Sequence, residues 1–167
     1  EGNDERILEA AQEALAQGIA NIIILGDADE IAAKGYNLEG ATIIDPATSD
    51  KQEEFANLLY ELRKAKGMTP EEAKELVKDP IHFAVLMVKS GLCDGLVGAC
   101  HATIKILSPS LKIIKTAPGE PMVSSFFIMD VPGSEFGENG LFLFADCALE
   151  IQPTSEKLAH IANQTDK

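Results

Sequence analysis

The segment Ile22-Ile23-Ile24-Leu25-Gly26 narrows the choice of folds more than any other in this chain of 167 residues. Four consecutive apolar residues closed by a glycine predict a strand with no polar face, and such strands belong to sheets covered on both sides. Helical spacing precedes it. From Asn3, which has the side chain of a helix N-cap, Ile7, Leu8, Ala11, Ala14 and Leu15 recur until Gly18 ends the run. A short helix over 27–34, a strand at Thr42-Ile43-Ile44 and the turn Asp45-Pro46 follow. Strand and helix in alternation place the chain in the α/β class.

Further helices are announced by their ends. Residues 50–66 carry Phe55, Leu58, Leu59 and Leu62 on one face and finish in Arg63-Lys64-Ala65-Lys66 before Gly67. Thr69-Pro70-Glu71-Glu72 combines an N-cap, a first-turn proline and a capping-box glutamate. Asp79-Pro80 opens another helix, with Phe83, Ala84, Leu86 and Met87 inward. Residues 94–99 read as a strand running into a glycine turn, and 102–115 as a helix that Pro109 either kinks or begins. Beyond Ala117-Pro118-Gly119-Glu120-Pro121 the texture changes. Val123–Val131 and Gly140–Ala145 are β-rich, separated by Pro132-Gly133 and Gly137-Glu138-Asn139-Gly140, and read as an antiparallel hairpin. A last helix starts at Pro153-Thr154-Ser155-Glu156, with Leu158, Ile161 and Ala162 on its inner face. The chain therefore divides into a first α/β part, 1–119, and a second part, 120–167, with a hairpin and a helix.

Charge excludes one class of partner and sharpens the search for another. With 14 basic and 27 acidic residues the net charge is -13, so nucleic-acid binding, which needs a basic face, is excluded. An anionic small molecule would need a local cationic pocket within this repelling field. At 46% hydrophobic the chain is globular rather than disordered, and no apolar run reaches the length of a membrane span. The opening residues do not read as a signal peptide, and three cysteines, Cys93, Cys100 and Cys147, without CxxC spacing suit a reducing compartment. The expectation is a cytoplasmic protein without a metal or a membrane contact.

Two places have the residues to bind an anion. A glycine turn between strand and helix joins free backbone N–H groups to a helix dipole, and Gly98-Ala99-Cys100-His101-Ala102-Thr103 is the best such turn here. His101 there has the chemistry to polarise a substrate oxygen or accept a proton, or simply to cap the next helix. Gly98 serves equally as a packing glycine, since neither GxGxxG nor a Walker pattern is present. The second place is the basic cluster Arg63-Lys64-Ala65-Lys66, which also suits a solvated helix C-terminus. His82 and His160 read as surface or packing residues, and the histidines are too scattered for a metal site. Cys100 beside His101 is a weak candidate nucleophile, because adjacent residues seldom bring their side chains into hydrogen-bond reach.

Taken in order, Glu1-Gly2-Asn3-Asp4-Glu5-Arg6, Tyr60-Glu61-Leu62-Arg63-Lys64-Ala65-Lys66-Gly67, Asp94-Gly95-Leu96-Val97, Ile113-Ile114-Lys115-Thr116-Ala117-Pro118-Gly119, Ser124-Ser125-Phe126-Phe127-Ile128-Met129 and Leu143-Phe144-Ala145-Asp146-Cys147 closely resemble the phosphate acetyltransferases over essentially the whole chain. The resemblance implies reversible transfer of an acetyl group, acetyl-CoA plus phosphate giving acetyl phosphate plus CoA, with coenzyme A as substrate and no cofactor. It implies a three-layer α/β/α fold with a mixed sheet, like that of isocitrate and isopropylmalate dehydrogenases, in two subdomains of which the second is incomplete here. It also implies a homodimer. Arg63 matches a family arginine associated with substrate, through coenzyme A phosphates, and Gly98, His101, Thr103 and Lys105 complete the expected substrate-binding set.

This chain also departs from the pattern. Family members are longer, and their catalytic serine, arginine and aspartate lie in a C-terminal half, so the catalytic residues are expected outside these 167 positions. The turn before His101 is one residue shorter and lacks the family's serine. The family's second substrate arginine sits in a Leu-Arg-Pro segment, which here is Leu107-Ser108-Pro109. A neutral serine lacks the charged bidentate fork of arginine, while Lys105, at a position acidic in the family, moves a cation by one turn. Two alternatives follow: a butyryl or propionyl transferase, or a non-catalytic transferase-like module for regulation or oligomerisation.

Overall fold

The computed structural model describes residues 1–98 and 103–166. They form two compact units, residues 1–115 and 116–167. In the first, the side chain of Asp4, one residue beyond the expected Asn3, accepts a hydrogen bond from the Arg6 N–H and caps α1 (Glu5–Ala16). Strand β1 (Ile23–Leu25) pairs in parallel with β2 (Thr42–Ile44), Ile24 opposite Ile43, and α2 (Ala28–Ala33) crosses between them. The all-apolar sequence of β1 now has its reason. Ile24 packs with Leu8, Ala11 and Ile31 in one hydrophobic cluster, whereas Leu25 belongs to a second, built by the later helices. Gly2 runs close along this strand, its N–H bonded to the Leu25 carbonyl at 3.0 Å. A side-chain carbon there would lie 2.7 Å from the same carbonyl oxygen, so only glycine fits.

The second cluster is the main core. Helix α3 (Gln52–Arg63) contributes Phe55, Ala56 and Leu59, and α5 (Pro80–Ser90) contributes five consecutive buried residues, Phe83 to Met87. Phe55 and Phe83 meet edge to face with ring centroids 4.9 Å apart, and both are essentially fully buried. Helix α3 tightens into a 3-10 turn, Lys64–Lys66, and stops at Gly67 in the left-handed conformation, φ 88°. Thr69 then starts α4 (Pro70–Leu76) with both hydrogen bonds of a capping box, and Ala73 and Val77 enter the core. Asp79 caps α5 through the His82 N–H at 3.0 Å. Helix α6 (Thr103–Ile113) runs through Pro109 rather than starting there, and Ile113 closes the core.

The strand expected over 94–99 does not form in its described part, 94–98. A strand exists by sharing backbone hydrogen bonds with a neighbour. Among the described residues β1 pairs only with β2, residues 94–98 share no ladder with either strand, and Val97 is 88% exposed.

The second unit holds the expected hairpin, shortened to β3 (Phe126–Asp130) and β4 (Leu141–Ala145), with Ile128 opposite Leu143. Helix α7 (Ser155–Asp166) follows. Of its expected inner face only Ile161 is buried; Leu158 and Ala162 are exposed. A two-stranded ribbon with one helix has too little surface to cover its own apolar side chains, and every residue of β3 is exposed as well. The unit is tied together by polar contacts. Gln164 Nε2 donates to the Met122 carbonyl at 2.9 Å and its Oε1 accepts from the Ser124 hydroxyl at 2.6 Å. Asp146 Oδ1 accepts from the Ser125 hydroxyl at 2.9 Å and from the N–H groups of Ala148 and Leu149 at 3.1 and 3.0 Å. Burial pushes the Asp146 carboxyl up, but the hydrogen bonds from Leu149, Ala148, Ser125 and Glu150 together outweigh it and hold it below its ordinary value.

Truncating Phe83 to alanine removes one half of the ring pair at the junction of α3 and α5. It should cost about 3–5 kcal/mol in denaturant unfolding. A carboxyl with a depressed folded-state pKa stabilises fully above its unfolded value and loses that contribution as pH falls through the folded one. Stability should therefore fall as pH drops below about 3.8, and Asp146→Asn should flatten that dependence, as followed by urea midpoints across the acid range.

Candidate anion-binding groove

Three helix ends and one helix face converge in the first unit. Gly67 stops α3 so that Arg63 sits in its last turn, the capping box turns the chain back through α4, and the Asp79 cap begins α5 beside them. Against these lies one face of α6. Together they line a groove of about 750 Å³ with Arg63, Lys105, Ser108 and Lys112 on its walls. Its apolar surface comes from Leu59, Met68, Leu76, Ile81, Ile104, Pro109 and Ile113, and His82 and Asp79 complete it. Pro109 is buried, which explains why a helix-weakening residue persists inside α6: its ring fills the packed side while the helix continues.

The electrostatics of the groove oppose those of the chain. Arg63, Lys105 and Lys112 make no ion pair among the described residues, whereas six other lysines do or hydrogen-bond elsewhere. The groove's one carboxylate, Asp79, is already engaged: Oδ2 accepts from the backbone N–H of His82 and lies 2.7 Å from His82 Nδ1. The basic cluster at the end of α3 thus resolves residue by residue. Lys64 is paired with Glu61, whose hydrogen bond and charge raise its ammonium pKa, and Lys66 is exposed. Arg63 alone of the three lines the groove.

Of the residues expected to bind substrate, Arg63 and Lys105 are brought together. Gly98 is not among the groove's lining, and a side chain there would collide with Ile106. Thr103 opens α6, and His101, like Cys100, lies outside the described residues. Sequence reasoning missed two members. Lys112 falls four residues after Ser108 on the same helical face, a signal available from spacing alone. His82, expected at the surface or in packing, instead lines the groove in partnership with its own helix cap. An apolar floor under three cations without ion-pair partners among the described residues suits a ligand that joins phosphates to less polar parts. No group of three or more histidine, cysteine, aspartate or glutamate side chains is placed to hold a metal ion among the described residues. No described helix is long and apolar enough to cross a membrane.

Comparison with known proteins places this geometry in context. The profile of the phosphate acetyl/butaryl transferase family matches residues 1–167. Phosphate acetyltransferase of Thermoanaerobacterium thermosaccharolyticum is 55% identical over 168 residues, covering 99% of this chain and 51% of its own. The enzyme of the same name from Acetivibrio thermocellus is 47% identical, covering 100% of this chain and 51% of its own. The chain thus spans about half the length of these curated relatives. Among solved structures, EutD phosphotransacetylase from Staphylococcus aureus superposes with a TM-score of 0.85 at 32% identity, over 97% of this chain and 48% of that one. A phosphotransacetylase from Streptococcus pyogenes gives 0.82 at 38% identity, over 96% and 49%.

Asp79 should be the groove's most stability-sensitive polar residue, because one carboxylate both caps α5 and holds His82. Asp79→Ala should cost about 1 kcal/mol and Asp79→Asn much less, since asparagine also caps; thermal unfolding of the two variants checks this.

Proposed function

The chain belongs to the phosphate acetyl/butaryl transferase family, and from that membership we propose that it serves the reversible transfer of an acetyl group between coenzyme A and inorganic phosphate. The observation that carries the reading is the convergence of Arg63 and Lys105 on one groove in a chain of net charge -13. The groove receives phosphates of coenzyme A, which acts as substrate and not as a resident cofactor. Arginine at the end of α3 supplies a permanently charged fork for a phosphate, and the apolar floor accepts the rest of the molecule. The transfer itself has acetyl-CoA and phosphate on one side and acetyl phosphate and CoA on the other. In this reading the groove's task is to bind and orient an anionic substrate, with the reacting groups completed from outside these 167 residues.

The acetyl group is favoured over butyryl or propionyl because the similar curated enzymes carry the acetyltransferase name. The remaining parts of the reading are a three-layer α/β/α fold resembling isocitrate dehydrogenase, subdomains at 1–119 and 120–167, a homodimer, and a cytoplasmic location. His101 and Thr103 keep their proposed place beside the substrate, with Gly98 allowing the close approach of the turn.

Calorimetric titration with coenzyme A tests the reading. Saturable binding that weakens with salt is expected, and Arg63→Ala should weaken it by about tenfold or more. An absence of heat would overturn it in favour of a transferase-like module without catalysis, the reading that Ser108 in place of an arginine favours.

A further inference from the structure

Ser108 occupies the middle of the groove wall, but the charge on that wall lies on either side of it. Lys105 stands three residues before and Lys112 four residues after, and all three line the same groove. Seven residues along an α-helix are almost two turns, so the two lysines share a face with their backbones about 10 Å apart. Neither is in an ion pair among the described residues, and the only carboxylate in the groove lining is held by His82 and the N-terminus of α5. A single arginine at 108 would focus charge at one point midway; this arrangement divides it between two.

We propose that Lys105 and Lys112 form a two-point clamp in which each ammonium group takes a different phosphate of one ligand, with Arg63 facing them across the groove. The inference rests on coenzyme A as the ligand, as proposed above, and adds how this chain recognises it. Coenzyme A has a diphosphate and a separate 3′-phosphate monoester, two anionic groups far enough apart to engage two cations. Lysine suits such a division because each ammonium is a compact charge on a flexible stem, able to adjust its reach, where an arginine fork binds one group bidentately. The exposed Ile104 beside Lys105, together with the groove's other apolar lining, offers a surface for the less polar part of the ligand.

Titration of the full chain with coenzyme A and with dephospho-coenzyme A separates the alternatives. Lys105→Gln and Lys112→Gln should each weaken coenzyme A binding by about tenfold, the loss of one charge-assisted contact. With dephospho-coenzyme A one of the two variants should lose its effect, because that lysine no longer has a phosphate to meet. Ser108→Arg placed in the double glutamine variant should recover part of the affinity, and Lys105→Arg with Lys112→Arg should retain it. Circular dichroism of each variant confirms that the helices are intact. If both glutamine variants bind both ligands as the unaltered chain does while Arg63→Ala still weakens binding, the clamp is wrong and the coenzyme A reading stands. Equal losses by both variants for both ligands would likewise overturn the clamp, showing only a general effect of charge. If the unaltered chain binds neither ligand, the coenzyme A reading falls, and the clamp with it.

Discussion

The contact between Phe55 and Phe83 lies at the centre of the main core of the first unit. Two fully buried rings in edge-to-face geometry bind α3 to α5, and around them Leu59, Ala73, Val77, Leu86 and Ile113 fill the spaces between four helices. Once those helices are locked, their ends and faces have no freedom left. The last turn of α3, the first turn of α5 and one face of α6 are brought to one groove by this packing, and Leu59 and Ile113 belong both to the core and to the groove's apolar surface. A basic side chain at 63, 105 or 112 acquires a common destination only because the apolar side chains beneath are interlocked.

Electrostatic economy of another kind follows from the same packing. The chain has almost twice as many acidic as basic residues, and five of its described lysines are in ion pairs, such as Lys51 with Glu54 and Lys78 with Glu75. Exposed pairs of that kind contribute little to stability. Their effect is to leave the groove as a place where positive charge is not cancelled. Asp79 lies among those cations, but its carboxylate is turned to the cap of α5 and to His82, so it serves the helix rather than the lysines. The second unit shows the opposite condition: its ribbon is apolar on both faces and largely exposed, and its order rests on hydrogen bonds from Gln164 and to Asp146.

Local chemistry was legible in the sequence wherever the cause of a structure lies within a few residues. The capping box at Thr69, the cap and first-turn proline at Asp79-Pro80, the stop at Gly67 and the apolar segments at 23–25 and 42–44 all follow from neighbours along the chain. Arg63 and Lys105 were also visible, through the ordered motifs and a departure from them. What spacing did not reveal was the partner of each face. Lys112 has the same periodicity as any solvated lysine, and His82 the same as any half-buried histidine; only the position of α6 against the end of α3 makes them neighbours. The expectations for 94–98 and for Leu158 failed for a related reason, because a strand and an inward face both need a second surface, and no residue can specify its own cover.

The sequence by itself thus determined the class of fold, the presence of most helices and strands, and the residue types available for binding an anion. These depend on backbone preferences, caps and periodicity, which act over one or two turns. Only the tertiary structure decided that three cations separated by up to 49 positions share one groove, that Ile106 closes in on Gly98, and that Asp79 Oδ2 is engaged by His82. Those outcomes depend on which helix faces meet across the Phe55–Phe83 core, a property of the packed whole that no stretch of sequence carries alone.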